Sequence, residues 1–167
     1  MARSFLFLAL LFSCIGFSAG QDIPAQLQGK WIIKRILPTS TISCWSYKEA
    51  RRIVGTEIEY TANSFRWKDK ITSNPVVTVT TLDAERLHDE NSGGGANDSQ
   101  VSFRELGIGS ATITEVRFSH RDASITGATI EVPGDRVLLK AENTLILSVC
   151  NVYFEARRKS VSAGPRN

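Results

Sequence analysis

The chain has 167 residues, a length typical of one globular domain, and its formal net charge at pH 7 is +3. That charge is too small to suggest a polybasic membrane partner or a nucleic-acid partner. No segment after residue 20 is an apolar stretch of the roughly 20 residues that a membrane-spanning helix needs, so no membrane span is expected.

The first twenty residues have the pattern of a cleaved export signal. The basic residue Arg3 precedes an apolar run from Phe5 to Phe17, and the small residues Ser18-Ala19-Gly20 follow it. We therefore predict a signal peptide over residues 1–20 and a secreted or periplasmic protein.

The same segment also has the outline of a bacterial lipoprotein signal, with Leu11 placed three residues before Cys14. The bulky Phe12 lies where such signals prefer a small residue. A lipid anchor through Cys14 is therefore the less favoured alternative.

Removal of the signal leaves two cysteines, Cys44 and Cys150. An even pair in an oxidising compartment favours a disulfide, so we predict a Cys44–Cys150 bridge. Two buried free thiols are the alternative. A catalytic cysteine is disfavoured because neither cysteine has a histidine nearby in sequence, and a bridge would remove the nucleophile.

The mature chain has mainly the pattern of β-strands. The apolar, β-branched segment from Trp31 to Leu37 predicts a first strand, which Pro38 ends. A Ser-x-x-Glu capping box at residues 46–49 then opens a short helix that extends to Val54. Gly55 is placed to end that helix.

Period-two alternation predicts a hairpin of Glu57–Thr61 and Ser64–Lys68 around an Ala62-Asn63 turn. One face of this hairpin is apolar and carries Ile58, Tyr60, Phe65 and Trp67. The other face is charged and carries Glu57, Glu59, Arg66 and Lys68, and its opposite charges are expected to pair across the strands.

Further strands are predicted over 76–81, 111–120, 126–132 and 136–141, with a short helix over 82–88. A Gly-rich loop covers residues 91–99, where Asn97 begins a glycosylation sequon. The last long segment, 144–158, is apolar on both faces at first and amphipathic later.

Eight or nine short strands at close spacing indicate an all-β barrel or sandwich. We predict an antiparallel closed β-barrel of about eight strands, with one short helix after the first strand. The expected domain covers residues 21–159, and residues 160–167 have the composition of a disordered tail.

Gly29-Lys30-Trp31, at the start of the first strand, resembles the Gly-x-Trp motif that opens the lipocalins and their calycin relatives. The helix before Gly55 is similar to the lid region between their first two strands. Arg157 or Arg158 resembles the basic residue that lipocalins pack across that Trp in a cation–π contact. The resemblance implies a divergent lipocalin-like barrel, and the alternative is that Trp31 is a core anchor in another all-β fold.

The candidate ligand-binding residues are those whose alternation places them inside such a barrel. If Trp31 and Ile33 face inward, Arg35 follows on the same face, where a charge needs a partner or an anionic ligand group. The predicted binding residues are Trp31, Arg35, Tyr60, Phe65, Trp67 and Phe118. The same aromatic side chains could instead fill the core, and the sequence favours neither interpretation.

No catalytic or metal-binding pattern stands out. His88 and His120 belong to no close-spaced ligand pair, and no Gly-x-Ser-x-Gly elbow occurs, so no metal or cofactor is predicted. A barrel-based isomerase or hydrolase with His120 or a carboxylate as base is the least favoured class.

The predicted function is that of a secreted or periplasmic lipocalin-like protein that binds a small, largely apolar ligand. The alternative is a secreted protein-interaction module, such as a protease inhibitor or adhesion factor, with a side-chain-filled barrel and a protein partner.

Overall fold

The computed structural model describes residues 22–37, 45–91, 101–119 and 132–160. Outside these ranges lie the predicted signal peptide with Cys14, then Cys44, Asn97 of the sequon, His120, residues 126–131 of one predicted strand, and residues 161–167. The strands are β1 (Gly29–Ile36), β2 (Glu57–Tyr60), β3 (Ser64–Trp67), β4 (Lys70–Ser73), β5 (Val76–Asp83), β6 (Thr112–Ser119), β7 (Arg136–Ala141), β8 (Thr144–Val149) and β9 (Val152–Arg158). The helices are α1 (Tyr47–Arg51) and α2 (Ala84–Asn91).

The nine strands form one sheet in the order β4-β3-β2-β1-β9-β8-β7-β6-β5, and every neighbouring pair is antiparallel. The last strand, β9, therefore returns to pair with the first. The prediction of an antiparallel all-β fold is confirmed, but the prediction of a closed barrel of about eight strands is wrong. The sheet curls into an open half-barrel whose two edges are β4 and β5.

The sheet opens at Asn74-Pro75, between its two edge strands. Ser73 is the last residue of β4 that pairs with β3. Asn74 has φ 48°, which turns the chain away, and its N–H donates to the Asn63 carbonyl at 2.7 Å. Pro75 has no N–H to offer a neighbouring strand. Only two residues separate β4 from β5. Ser73 and Val76 are three Cα–Cα steps apart, so the two edge strands lie within about 11 Å of each other at this corner.

The predicted capping box opens α1, which confirms a short helix after β1, but the helix ends at Arg51 and not at Val54 as predicted. The Ser46 hydroxyl accepts a hydrogen bond from the Glu49 N–H, and the Glu49 carboxylate accepts one from the Ser46 N–H at 2.8 Å. Gly55 follows the helix with φ 88°, a conformation that favours glycine.

The hairpin of β2 and β3 is also confirmed, with its predicted faces. Tyr60 lies opposite Phe65, and Glu59 lies opposite Arg66 and forms an ion pair with it. The observed register agrees with the predicted alternation, and the apolar side chains of this hairpin lie on the concave side of the sheet.

The segment 144–158, taken as one run in the sequence, folds as two strands, β8 and β9. The turn between them is Cys150-Asn151, whose φ values of 53° and 60° are those of a two-residue hairpin turn. Cys150 is buried in this turn. Its predicted partner, Cys44, lies outside the described residues, so the Cys44–Cys150 pairing stays a prediction.

The sheet has an apolar core on each face. The concave face carries Trp31, Ile33, Ile58, Tyr60, Phe65, Val116, Phe118, Leu145, Leu147 and Phe154. On the convex face, α2 and residues 101–108 cover β5 to β9, with Leu82, Leu87, Phe103, Leu106, Ile113, Leu138, Ile146 and Tyr153 between them. The strand β8 is buried on both faces, which explains why residues 144–149 are apolar on both sides.

We expect Gly134→Ala to destabilise the fold through one specific contact. Gly134 has φ 107°, and a Cβ there would lie 2.6 Å from the Tyr60 hydroxyl, which donates to the Gly134 carbonyl at 3.1 Å. Positive φ and the clash together should cost about 3 kcal/mol. Urea denaturation measures this loss of unfolding free energy.

Tyr60→Phe removes the clashing hydroxyl, so the double variant should lose less stability than the two single variants summed. Gly109→Ala is the matched control, because no atom lies within 4 Å of its new Cβ. If the stability losses of Gly134→Ala and Tyr60→Phe simply add up to the loss of the double variant, the assigned contact between Gly134 and the Tyr60 hydroxyl is wrong.

Candidate functional site

Arg158 holds the N-terminal segment across one end of the half-barrel. Its guanidinium lies 4.1 Å from the centroid of the Trp31 ring. It also donates to the carbonyls of Gln28 and Gln26, each at 2.6 Å. The Trp31 indole N–H donates to the Leu27 carbonyl at 2.7 Å. The predicted cation–π contact is therefore confirmed, with Arg158 as its cation.

A cleft of about 500 Å³ opens beside Arg158 at this end. Seven residues line it: Gln26, Leu139, Ala141, Glu142, Asn143, Leu145 and Arg158. Leu139 and Leu145 are direct partners in the β7–β8 ladder, so both side chains lie on the concave face. The cleft therefore has an apolar floor and a polar rim, and its volume is that of a small-molecule site.

The chemistry of this cleft suits binding. Its titratable groups are the Arg158 guanidinium and the Glu142 carboxylate. Three Arg158 nitrogens donate to backbone carbonyls, those of Gln28 and Gln26 at 2.6 Å and that of Glu142 at 3.5 Å, which fixes the plane of the guanidinium at the wall. The apolar floor would take the body of a small molecule, and the rim would bind a polar end.

Three of the predicted binding residues lie together in the concave core. The Tyr60 ring lies 5.8 Å from Phe65 and 5.7 Å from Phe118, and the Phe65 and Phe118 rings are 5.2 Å apart. All three side chains are at most 5% exposed. They bridge β2 and β3 to β6 across the open side of the sheet.

Trp31 and Trp67 lie apart from that aromatic cluster. Trp31 is fully buried beneath Arg158, next to the cleft. The Trp67 indole N–H donates to the Thr56 hydroxyl at 3.0 Å, and the Lys68 ammonium lies 4.4 Å from its ring centroid. Trp67 is thus at the α1 end of β3.

The expected inward orientation of Arg35 is wrong. A register shift between Ile33 and Arg35 in the β1–β9 ladder turns Arg35 to the convex face. There it donates to the Glu155 carboxylate at 2.8 Å, with its side chain 60% exposed. Arg35 therefore lies away from the cleft.

None of the six predicted binding residues lines the cleft, and Arg158 alone of its seven lining residues was singled out in the sequence, as the cation over Trp31. The turn between β7 and β8, at residues 142 and 143, supplies part of the rim. A register shift between Leu139 and Ala141 interrupts the alternation of β7, so the sequence pattern does not show that both residues line the cleft. What the sequence does not show is that this turn lies beside Gln26 and Arg158, because that depends on the register of β8 and β9.

A second cleft, of about 400 Å³, lies on the charged face of the β2–β3 hairpin. Its wall residue Glu57 forms ion pairs with Lys159 at 2.7 Å and Lys30 at 3.1 Å. Hydrogen bonds from these two lysines lower the pKa of Glu57. Because Glu59 is likewise paired with Arg66, this cleft is the weaker binding candidate.

The convex face holds a fully buried carboxylate, Glu115. Arg136 and Arg117 lie 2.6 Å and 2.9 Å from its two oxygens, and the Thr80 hydroxyl donates to it at 3.2 Å. Burial raises the pKa of Glu115, but the contacts with Arg117 and Arg136 outweigh burial and hold this pKa below its ordinary value. A carboxylate held ionised by two arginines is a poor proton acceptor.

The same arginines bind α2, because Arg117 and Arg136 also form ion pairs with Glu90 of that helix. Glu155 is the second nearly buried carboxylate of the convex face. Burial raises the pKa of Glu155, yet the hydrogen bonds from Arg35 and Arg157 lower it overall. Both carboxylate clusters are therefore structural.

Comparison with protein-family models, with curated proteins and with solved structures finds no match to this chain. Within the described part of the chain, three or more metal-ligating side chains do not come together. The helices described are also too short and too polar to cross a membrane.

We expect Arg158→Gln to lower the free energy of unfolding by about 3 kcal/mol, because it removes the charged hydrogen bonds to the Gln26 and Gln28 carbonyls and a cation–π contact. Arg158→Lys should lose about half of that, since an ammonium keeps the charge without the planar fork. Urea denaturation followed by tryptophan emission measures both. Arg66→Gln, at an exposed ion pair, is the control and should cost under about 1 kcal/mol. Equal losses in Arg158→Gln and the control would refute this assignment.

Acid should weaken the ion pairs that Glu115 forms with Arg117 and Arg136 on the convex face. Because the folded pKa of Glu115 is lowered, its stabilising effect is complete above the pKa of the unfolded chain and is lost as pH falls through the folded pKa. Stability should therefore decline below about pH 4.5. Glu115→Gln should cost about 2 kcal/mol at neutral pH and flatten that decline. Urea titrations across an acidic pH series, with Glu59→Gln as control, measure both effects. An unchanged acid limb in Glu115→Gln would rule this out.

Proposed function

We propose that this protein is a divergent lipocalin-like binder of a small, largely apolar ligand, which it holds in the cleft beside Arg158. The observation that carries the proposal is the cleft itself. It combines about 500 Å³ of space, a floor that includes Leu139 and Leu145, and a fixed guanidinium at the wall. Mouths of curled β-sheets are a common place for such sites.

The geometry at the start of β1 supports the lipocalin-like assignment. Gly29 has φ 117°, and a Cβ at this position would lie 2.8 Å from a terminal nitrogen of Arg158. Only glycine lets the guanidinium lie across Trp31 and reach the Gln28 carbonyl. The Gly-x-Trp motif and the distant arginine are therefore one steric unit.

The proposed protein is exported and carries a Cys44–Cys150 bridge. The signal pattern of residues 1–20 supports export. The buried position of Cys150 in the tight turn between β8 and β9 supports a bridge at the end of the sheet opposite Arg158.

A specific observation favours the second candidate, a secreted protein-interaction module. The concave face is packed with side chains, and the rings of Tyr60, Phe65 and Phe118 are in mutual contact and nearly fully buried. A ligand deep between these rings would have to displace them. This candidate predicts that partners bind at the loops and that the cleft beside Arg158 is dispensable.

A fluorescence titration tests the first candidate. Fatty acids and retinoids, added to the whole protein, should change its tryptophan emission saturably, because Trp31 lies directly beneath Arg158. Ala141→Phe places a ring in the cleft from an exposed position and should weaken binding at least about tenfold. Its matched control is Ala84→Phe, the same substitution at an exposed position on α2, and it should bind as the unchanged protein does.

Equal binding by the Ala141→Phe and Ala84→Phe proteins would contradict a ligand site in the cleft. The absence of any saturable response from the unchanged protein would favour the interaction module.

A further inference from the structure

The end of the half-barrel opposite Arg158 presents exposed basic and apolar side chains. Among the described residues, the exposed large apolar side chains are Tyr47, Val54, Ile71 and Val76. Tyr47, which is 67% exposed, and Val54 lie on α1 and the turn after it. Lys48, Arg51 and Arg52 are exposed on the same short element, and the Arg51 guanidinium lies 5.7 Å from the Tyr47 ring centroid.

The turn between β3 and β4 extends this surface. Trp67 donates to the Thr56 hydroxyl at 3.0 Å, and that hydroxyl donates to the Ile53 carbonyl at 2.7 Å, so the end of β3 is joined to the turn after α1. Lys68 and Lys70, both exposed, lie on either side of Asp69 in the turn between β3 and β4. We call the combined surface the α1 surface, and its members are Tyr47, Lys48, Arg51, Arg52, Val54, Lys68 and Lys70.

Carboxylates neutralise little of this surface. Glu49, the acidic residue of α1, bonds both the N–H and the hydroxyl of Ser46 in the capping box. Those hydrogen bonds lower the pKa of Glu49 and direct its carboxylate to the start of the helix. Asp69 is the acid of the β3–β4 turn. Glu57 and Glu59 line a cleft together with Lys68, but Glu57 is paired with Lys30 and Lys159, and Glu59 is paired with Arg66. The five cations of the α1 surface therefore face only two further carboxylates, Glu49 and Asp69, which leaves a local excess of positive charge.

We propose that the α1 surface docks the protein on an anionic lipid surface. The charge complementarity is direct, because Lys48, Arg51 and Arg52 are exposed on the same short element as Tyr47 and Val54, which already extend into solvent. A tyrosine ring with a polar tip suits the headgroup region, and valine suits the layer beneath. Soluble polyanions would use the cations but would gain nothing from exposed Tyr47 and Val54, which is why lipid is the favoured partner.

This docking is independent of the cleft, which lies at the opposite end of the strands. In β1, Trp31 marks the Arg158 end and Ile36 marks the end that leads toward α1. A protein docked by its α1 surface would therefore hold the cleft away from the lipid, accessible to solvent.

Sedimentation with sucrose-loaded vesicles tests the proposal on the whole protein. Binding to phosphatidylcholine vesicles should rise when phosphatidylglycerol is included and should fall with added salt. The double variant Arg51→Gln/Arg52→Gln should lower affinity roughly 25-fold, at roughly fivefold for each basic residue near an anionic leaflet. Tyr47→Ser should weaken binding by at least about threefold.

The matched control is Arg86→Gln/Arg104→Gln, which removes two exposed positive charges from α2 and from the 101–108 segment. This control should bind nearly as well as the unchanged protein. Circular dichroism checks that each variant is folded, and each changed side chain is exposed.

Two outcomes would overturn the proposal. Equal losses in the Arg51/Arg52 variant and the Arg86/Arg104 control would show a response to net charge alone. Retention on heparin together with unchanged vesicle binding by Tyr47→Ser would assign the surface to soluble polyanions. Ligand titrations of the same variants should be unaffected, which separates this proposal from the proposed binding function.

Discussion

The contact between Arg158 and Trp31 is the interaction on which the rest of this structure depends. It joins the last strand to the first, and the hydrogen bonds from Arg158 to the Gln26 and Gln28 carbonyls bring residues 22–28 across the end of the sheet. Without that cover, Trp31 and Leu27 would be exposed to water at the mouth of the half-barrel. The same guanidinium forms one wall of the cleft, so the group that stabilises the fold also shapes the proposed site.

Features that depend on neighbours within a few residues were predictable from the sequence. The capping box needs Ser46 and Glu49, and the hairpin needs only alternation on either side of residues 62 and 63. The turn at Cys150-Asn151 was missed because neither residue is glycine, although both have positive φ. The outward position of Arg35 was missed for another reason, since a bulge in β1 depends on how β9 pairs with it.

The candidate site was the least predictable part, because it requires relations between distant segments. Gln26, the β7–β8 turn and Arg158 are brought together only by the register of three ladders. The convex core was equally hidden, since residues 101–108 follow neither helical nor strand periodicity. Net charge was also a poor guide to surface chemistry, because the ion pairs of Glu115 and Glu155 remove charge from one face while the α1 surface keeps it.

The pairing of β9 with β1 also bears on the order of folding. Arg158 and its acceptor Gln28 are 130 positions apart, whereas the hairpins β2–β3 and β7–β8 close over a few residues. Local hairpins form within microseconds, but a contact across most of the chain must first overcome the entropy of a very long loop. The cleft is therefore among the last features to form, and no fragment that lacks either terminus of the domain contains it. Because a ligand bound there would favour only the completed fold, occupancy of the cleft would report that folding has finished.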